Sequence, residues 1–388
     1  MPLIRLVDAY SNLGGLGADG ANSFIRQSAG LQWEDLGFWA DWLVVDYRPN
    51  NPESEVDMPE AGQICDPARP ITMMRRMGRK HVRWEMMLLP GESAEDMARP
   101  EKVWSLLDRW VKPSDGMLER AAVYTFRSGV ANQWTKGNVI LAGDAAHLMP
   151  PFLGQGLCSG LRDALSLGWR LDLILSGSAT NELLQSYEEE RKVHVTTVIE
   201  RAVALGKVVC ITDPIEASKR DAAILSGTAP AIPAFPKLVN GVLHREDDGC
   251  LATPAGELAV QGYISSNGKE TRLDDATGGG WHVISLDEPA DRDLALAQRR
   301  VASALGMQFI TLGADGGSFA DVGNAHRAFM KERGVVALIV RPDFYIFAGV
   351  KSVVEVPALL DELGARLCLL PARQDEGGAS NKVSYLRT

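Results

Sequence analysis

The run Asn138–Ala164, NVILAGDAAHLMPPFLGQGLCSGLRDA, restricts the fold of this chain more than any other segment. Asn138 to Leu141 reads as a short buried strand running straight into Gly143-Asp144. A loop stiffened by Pro150-Pro151 follows, then the glycine-rich turn Gly154-Gln155-Gly156. The next segment is the most regular helical pattern in the chain. Leu157, Leu161, Ala164, Leu165, Gly168, Leu171 and Leu175 recur at three- and four-residue spacing, with Gly177 placed to cap the end. A strand end holds the Asp144 carboxylate at a fixed point, where it accepts hydrogen bonds from a polyol or ribose chain. Gly154 and Gly156 leave the backbone open to close approach by a ligand. Their N–H groups, with the positive end of the following helix, make a place for an anion or a polarised carbonyl. The chemistry of this run therefore suits a ligand that carries hydroxyls and a group that becomes negative.

The rest of the chain reads as mixed α/β. Trp42–Tyr47 is a strand, Met73–Leu89 a strand pair broken by Pro90-Gly91, Ala98–Val111 a helix and Ala122–Arg127 a further strand. A second long helix runs from about Asn181 to Leu205, with His194 on its charged, solvated face. Composition breaks predict a first domain over 1–212, a loop-rich linker over 213–270 and a C-terminal domain over 271–388. That last domain has the order β-α-β-α-β-β-α, which suits a thioredoxin-like sandwich. It lacks the two cysteines that a working thioredoxin carries at the start of its first helix, so a structural or oligomerising role is expected of it.

Several classes of function are excluded by charge and composition. Fifty acidic against forty basic side chains leave a formal charge of −10 with no Lys/Arg-rich run, which argues against nucleic acid as a partner. No apolar run is long enough to span a bilayer, and Met1 to Tyr10 lacks a signal-peptide pattern. The five cysteines, Cys65, Cys158, Cys210, Cys250 and Cys368, are far apart and form no C-x-x-C pair, so they read as reduced thiols of a cytoplasmic protein. Asp144 and His147 have no third ligand nearby, and no metal site is expected.

Gly143-Asp144-Ala145-Ala146-His147, Pro150-Pro151, Gly154-Gln155-Gly156 and Asp163-Ala164 resemble the second flavin-binding motif of the single-component FAD-dependent aromatic hydroxylases. Asp19-Gly20-Ala21-Asn22-Ser23 with Arg26 resembles the D-G-x-x-S-x-x-R motif of the same family, associated with FAD and NAD(P)H. Leu183 to Glu188 with Glu190, Arg191 and His194 is similar to the helix that follows. The run Val82–Glu92, VRWEMMLLPGE, looks closest to the 3-(3-hydroxyphenyl)propionate hydroxylase branch.

This resemblance implies an incomplete FAD-binding and substrate-sheet domain joined to a thioredoxin-like domain, and a flavoprotein monooxygenase. Such an enzyme uses FAD, NAD(P)H and O2 to hydroxylate a small phenolic acid, and a homo-oligomer is left open. It further implies that Asp144, after Gly143, holds the ribityl chain. The amides from Gly154 through Gln155 and Gly156 to Leu157 would face the flavin N1/C2 edge, and Pro150-Pro151 would flank the substrate. The Asp19, Gly20 and Arg26 block would lie near the pyrophosphate. Cys158 stands where the family usually places Asn and weakens one flavin contact. No residue is singled out as a protein nucleophile or as the group touching the phenol.

Family members begin with a strand, G-x-G-x-x-G and a helix that cradle the ADP half of FAD. Here Asp19-Gly20 falls almost at the start, and Met1 to Gly17 does not read as the strand expected before it. The expectation is a truncated chain, or one completed by another, that binds FAD poorly on its own; a catalytically silent relic is the competing reading. Gly15 to Gly20 also fits G-x-G-x-x-G literally, with Asp46 downstream, but lacks the leading strand and the long helix of a dinucleotide fold. Gly156 to Gly160 mimics a nucleophile elbow, but no strand delivers Cys158.

Overall fold

The computed structural model describes residues 14–77, 81–231, 233–266, 268–313 and 318–371. These divide into two compact units, one of residues 14–164 and 191–236, the other of 165–190 and 237–371. The divisions fall elsewhere than the composition breaks at 212 and 270, because the middle of each long helix changes unit. The stretch read as a linker holds a helix, Pro214–Leu225, capped by the Asp213 carboxylate, and a strand pair ending at Arg272.

In the first unit the strands are β1 (Leu16–Gly17), β2 (Trp33–Pro49), β3 (Ala61–Ile64), β4 (Ile71–Met77), β5 (His81–Met87), β6 (Gly116–Ala131), β7 (Thr135–Lys136), β8 (Val139–Leu141) and β9 (His147–Leu148). A six-stranded sheet has the order β3-β4-β5-β2-β6-β9 and is antiparallel throughout. Alternation along its central strands sorts the side chains between two faces. Leu43, Val45 and Tyr47 of β2 and Val82, Trp84 and Met86 of β5 pack with Met97, Val103 and Leu107 of the helices Ala94–Met97 and Pro100–Leu107. The opposite face presents Trp42 and Met87, which meet Val209. Ser93 caps the first of those helices by accepting from the Asp96 amide at 3.1 Å.

A second sheet of this unit has the order β1-β8-β7. Strand β1 corrects the reading of Met1 to Gly17 in its described part: Leu16–Gly17 is a strand, and it pairs in parallel with Ile140 and Leu141. The absent side chain at Gly17 permits this, since a Cβ there would stand 2.7 Å from the Leu141 side chain. Met1 to Leu13 lie outside the described residues.

The second unit holds β10 (Tyr263–Ser266), β11 (Lys269–Arg272), β12 (His282–Leu286), β13 (Gln308–Leu312), β14 (Ala320–Val322), β15 (Ala337–Val340) and β16 (Ile346–Val350). Its main sheet runs β13-β12-β15-β16, with β12 and β13 parallel and the other pairs antiparallel. Both faces are buried, one through Val283, Ile339 and Phe347, the other through Ile284, Ile310 and Leu338. With helices Leu296–Ala304, Ala325–Glu332 and Val356–Arg366 this gives the expected β-α-β-α-β-β-α order, with β14 added. A neutral charge cluster lies inside it. Arg341 forks onto both oxygens of Glu190 at 2.7 and 2.8 Å and reaches Asp343 at 2.6 Å, while Arg170 also meets Glu190 at 2.7 Å.

The helix expected after Gly154-Gln155-Gly156 spans Gly156–Leu175. Its leucine stripe faces outward, however: Leu157, Leu161, Leu165 and Leu175 are exposed, Leu157 to 78%. Ser159, Asp163, Ser166, Leu167, Arg170 and Leu173 take the inner side, because the carboxylate and guanidinium on that side find buried partners. Among the described residues no helix is long and apolar enough to cross a membrane.

Candidate functional site

Strands β1 and β8 bring the two glycine-aspartate motifs together. The Ala142 amide donates to the Gly17 carbonyl at 2.9 Å, and just beyond it the two strands end side by side. Asp19-Gly20 leaves one strand and Gly143-Asp144 the other, at the carboxyl ends of a parallel pair, where open α/β sheets bind ligands. Gly143 starts a tight 3-10 turn over Gly143–Ala145, and Asp144 is exposed on it. The Asp144 side chain makes no hydrogen bond or ion pair among the described residues, so both carboxylate oxygens can accept from a ligand's hydroxyls.

Asp19 and Arg26 do different work from each other. Burial disfavours the Asp19 charge, but hydrogen bonds from the Ser23 hydroxyl and the Ile25 amide together outweigh it and hold its pKa below the usual carboxylate value. Ser23 caps the short helix Phe24–Ser28 by accepting from the Arg26 amide at 2.9 Å. Arg26 itself turns inward, with its guanidinium 4.1 Å over the Trp33 ring, and its Nε has no hydrogen-bond partner among the described residues. Burial lowers its pKa although the Asp19 charge opposes this. The literal G-x-G-x-x-G reading fails here: the helix after it has five residues, and Asp46 is spent on Arg83 at 2.7 Å and Arg120 at 3.0 Å.

Asp163 fixes the turn that carries Asp144. Its carboxylate accepts from the Gly143 amide at 3.0 Å, meets His147 Nε2 at 2.6 Å and accepts from Arg191 Nε at 2.9 Å. All three side chains are fully buried. Burial alone would raise the Asp163 pKa, but His147, Arg191 and the Gly143 amide lower it. Arg191 also donates to His194 Nδ1 at 3.0 Å, and His194 Nε2 donates to the Pro236 carbonyl at 3.1 Å. His194 is thus buried, which corrects its reading as solvated. Desolvation and the Arg191 charge press its pKa down to about 3, so the ring is neutral. Sequence reading quoted Asp163, Arg191 and His147 within motifs but gave them no role in the site. No signal in the sequence marked Asp163, because the leucine stripe of its helix assigns it to the outer side.

Pro150 is buried in extended backbone, Pro151–Leu153 form a 3-10 turn, and Gly154 closes it in the left-handed region, with φ of 61°. That closure uses the Gly154 amide, which donates to the Pro151 carbonyl at 2.8 Å, so it is not free for a ligand as its sequence context implied. The free donors lie one step on. Gln155 accepts the first helical bond, from the Ser159 amide at 2.8 Å, and its side chain accepts from Arg162 at 3.3 Å. The amides of Gly156, Leu157 and Cys158 have no acceptor among the described residues and stand at the positive end of a 20-residue helix.

Phe152, directly after Pro151, joins the aromatic face of the large sheet. Its ring lies 5.7 Å from Trp42 and 5.5 Å from Phe38, and Trp42 stacks on Phe126 at 5.8 Å. Cys65, Leu205 and Cys210 border this patch.

Residues 16–202 match the family model described as an FAD binding domain. Over 366 residues the chain is 34% identical to the Rhodococcus jostii protein named "Probable NADH-specific resorcinol 4-hydroxylase", covering 92% of this chain and 67% of that protein. The chain belongs to the FAD-dependent aromatic hydroxylase family. The 3-(3-hydroxy-phenyl)propionate/3-hydroxycinnamic acid hydroxylase of Escherichia coli is 30% identical over 354 residues, covering 85% of this chain and 63% of that one. The chain thus spans about two thirds of the length of these relatives. Aklavinone-11 hydroxylase, solved with FAD and aklavinone, superposes with a TM-score of 0.70 at 22% identity, covering 91% of this chain and 67% of that one. The flavin-dependent monooxygenase PieE, solved with FAD and substrate, gives 0.72 at 20%, covering 91% and 69%. Residues 256–366 match a model described as the HcaD C-terminal domain. The residues present fit the family's cofactor, FAD: a free exposed carboxylate on one turn and three unpaired amides at a helix start offer the donors and acceptors that its polyol tail and ring edge need.

Proposed function

We propose that this chain carries the flavin and substrate machinery of an NAD(P)H- and O2-dependent monooxygenase that hydroxylates a small phenol or phenolic acid beside its existing ring hydroxyl. The observation that carries the reading is the parallel pairing of β1 with β8, which sets Asp19-Gly20 and Gly143-Asp144 at neighbouring strand ends. In support, the R. jostii and E. coli relatives are named as hydroxylases of resorcinol and of 3-hydroxyphenylpropionate.

Bound FAD supplies the reduction, oxygen activation and transfer chemistry that no protein side chain provides. Asp144 accepts hydrogen bonds from the ribityl hydroxyls, and the Asp163–His147–Arg191 network keeps its turn in place. The amides of Gly156, Leu157 and Cys158 donate to the ring edge where negative charge collects, aided by the helix dipole. Asp19 and Gly20 bound the same cleft on the β1 side. Pro150, Pro151 and Phe152 wall the substrate side, where their apolar groups keep water from the reacting ring. The C-terminal unit acts as a structural module, and we place the protein in the cytoplasm.

The experiment is a titration of FAD fluorescence by the purified chain, followed by NADH oxidation with and without resorcinol or 3-(3-hydroxyphenyl)propionate. The proposal expects quenching once the chain is in excess over the weak affinity expected of it alone, and faster NADH oxidation when the phenol is present. No quenching even at hundreds of micromolar protein, or NADH oxidation by the FAD-saturated chain indifferent to both phenols, overturns it.

A further inference from the structure

The long helix Leu183–Val209 carries a glycine, Gly206, in its last turn. Glycine inside a helix costs stability against alanine, because it gives the unfolded chain more freedom to lose. The backbone does not call for it here. The Gly206 carbonyl accepts from the Cys210 amide at 2.8 Å, an ordinary helical bond, so the residue neither breaks nor caps the helix.

What the position requires is the absence of a side chain. A Cβ at Gly206 would stand 2.5 and 2.7 Å from two atoms of the Phe152 ring and 2.9 Å from the Phe38 ring, closer than carbon atoms pack. Other rings hold Phe152 there: buried Phe38 meets it edge-on at 5.5 Å, and fully buried Trp42 meets it edge-on at 5.7 Å. Phe152 is also the middle residue of the turn Pro151–Leu153, closed by the bond from the Gly154 amide to the Pro151 carbonyl at 2.8 Å. Two residues after Gly154 begin the amides of Gly156, Leu157 and Cys158, which have no acceptor among the described residues. The bare backbone at Gly206 thus touches a ring on the short turn that leads directly into these donors.

We infer that Gly206 is a positioning residue for the flavin loop: it seats the Phe152 ring, and the seated ring fixes the turn from which the free amides at the helix start are presented. This rests on the hydroxylase reading and deepens it. Gly206 has no side chain with which to touch flavin or substrate, so it acts through Phe152. A methyl group at this position lifts the Phe152 ring off the helix. The turn that carries the ring then shifts, and FAD has to pull it back against the clash before the amides can meet the flavin edge.

The test compares wild type, Gly206→Ala, Phe152→Leu and the double variant, by hydrogen–deuterium exchange without FAD and by FAD titration. Leucine at 152 keeps an apolar anchor and gives up the ring. In Gly206→Ala the Gly154 amide should exchange about fivefold faster or more, and FAD should bind about fivefold more weakly or more, the low end of what overpacking a filled site costs. In the Phe152→Leu background the same substitution should change neither reading, because the clashing ring is gone. Gly168→Ala, at an exposed helix glycine with open space around it, should leave both as in wild type. Gly206→Ala with wild-type exchange at Gly154, or with wild-type FAD affinity, overturns the inference. So does an equal loss in the Phe152→Leu background, which marks a general weakening of the helix. If Gly206→Ala does not fold, the double variant decides: readings that match Phe152→Leu support the inference, and a further loss overturns it. Wild type that binds no FAD overturns the hydroxylase reading itself, while the Gly154 exchange, measured without FAD, still decides whether Gly206 seats the turn.

Discussion

Replacing Asp163 with alanine probes the scaffold of the Asp144 turn directly. The wild-type carboxylate holds three buried groups at once: the Gly143 amide at 3.0 Å, His147 Nε2 at 2.6 Å and Arg191 Nε at 2.9 Å. Truncation leaves the Arg191 guanidinium in the interior with, among the described residues, only the His194 ring at 3.0 Å and the Ser159 carbonyl at 3.5 Å. Breaking a buried pair from one side costs about 3–5 kcal/mol, dominated by the stranded charge. At about 2–4 °C per kcal/mol for a unit of this size, the first unit's transition should fall by roughly 6–20 °C in scanning calorimetry. Asp163→Asn keeps one acceptor oxygen and should lose less. The pH dependence has a fixed sign. The folded pKa is depressed, so the stabilisation is complete above the unfolded value of about 3.9 and is lost as pH falls towards the folded pKa. A shift in Asp163→Ala worth less than about 0.5 kcal/mol, the scale of an ordinary surface change, would refute the reasoning.

Three further outcomes are expected. Arg341→Met leaves Asp343 and Glu190 buried with reduced compensation and should destabilise the second unit by about 3–5 kcal/mol, read from its melting transition. His194, with a folded pKa of about 3 against an ordinary value of about 6.5, should show no imidazole titration between pH 5 and 8 by NMR. Its contribution to stability should fall as pH drops below the unfolded value, because only the unfolded chain then takes up the proton. Burial pushes the Cys210 thiol up to about 12 and raises Cys65, so iodoacetamide at pH 8 should label the exposed Cys250 well before either, as mass mapping would report.

Most elements were legible in the sequence because period and punctuation agree there. The β2 and β5 alternation, the Gly177 stop and the β-α-β-α-β-β-α order each follow from local chemistry. What was not legible depends on contacts far apart in the chain. The leucine stripe of helix Gly156–Leu175 promised a buried face, but the inner side was decided by Asp163 and Arg170, whose partners lie 28 residues away at Arg191 and 16 away at Ser186. His194 looked solvated because its sequence neighbours are charged; Arg191 and the Pro236 carbonyl bury it. Strand β1 was missed because two residues carry no periodicity, and only the partner strand β8 defines them.

The central claim is that the turn at Asp144 and the helix start at Gly156 close on a flavin. Hydrogen–deuterium exchange of the chain with and without saturating FAD tests it most directly. Exchange at the Gly156, Leu157 and Cys158 amides, unpaired among the described residues, should slow on FAD addition, and Asp144→Ala should weaken that protection by about tenfold in FAD concentration. FAD that binds while these three amides exchange as before, or that binds Asp144→Ala as tightly as wild type, would contradict it.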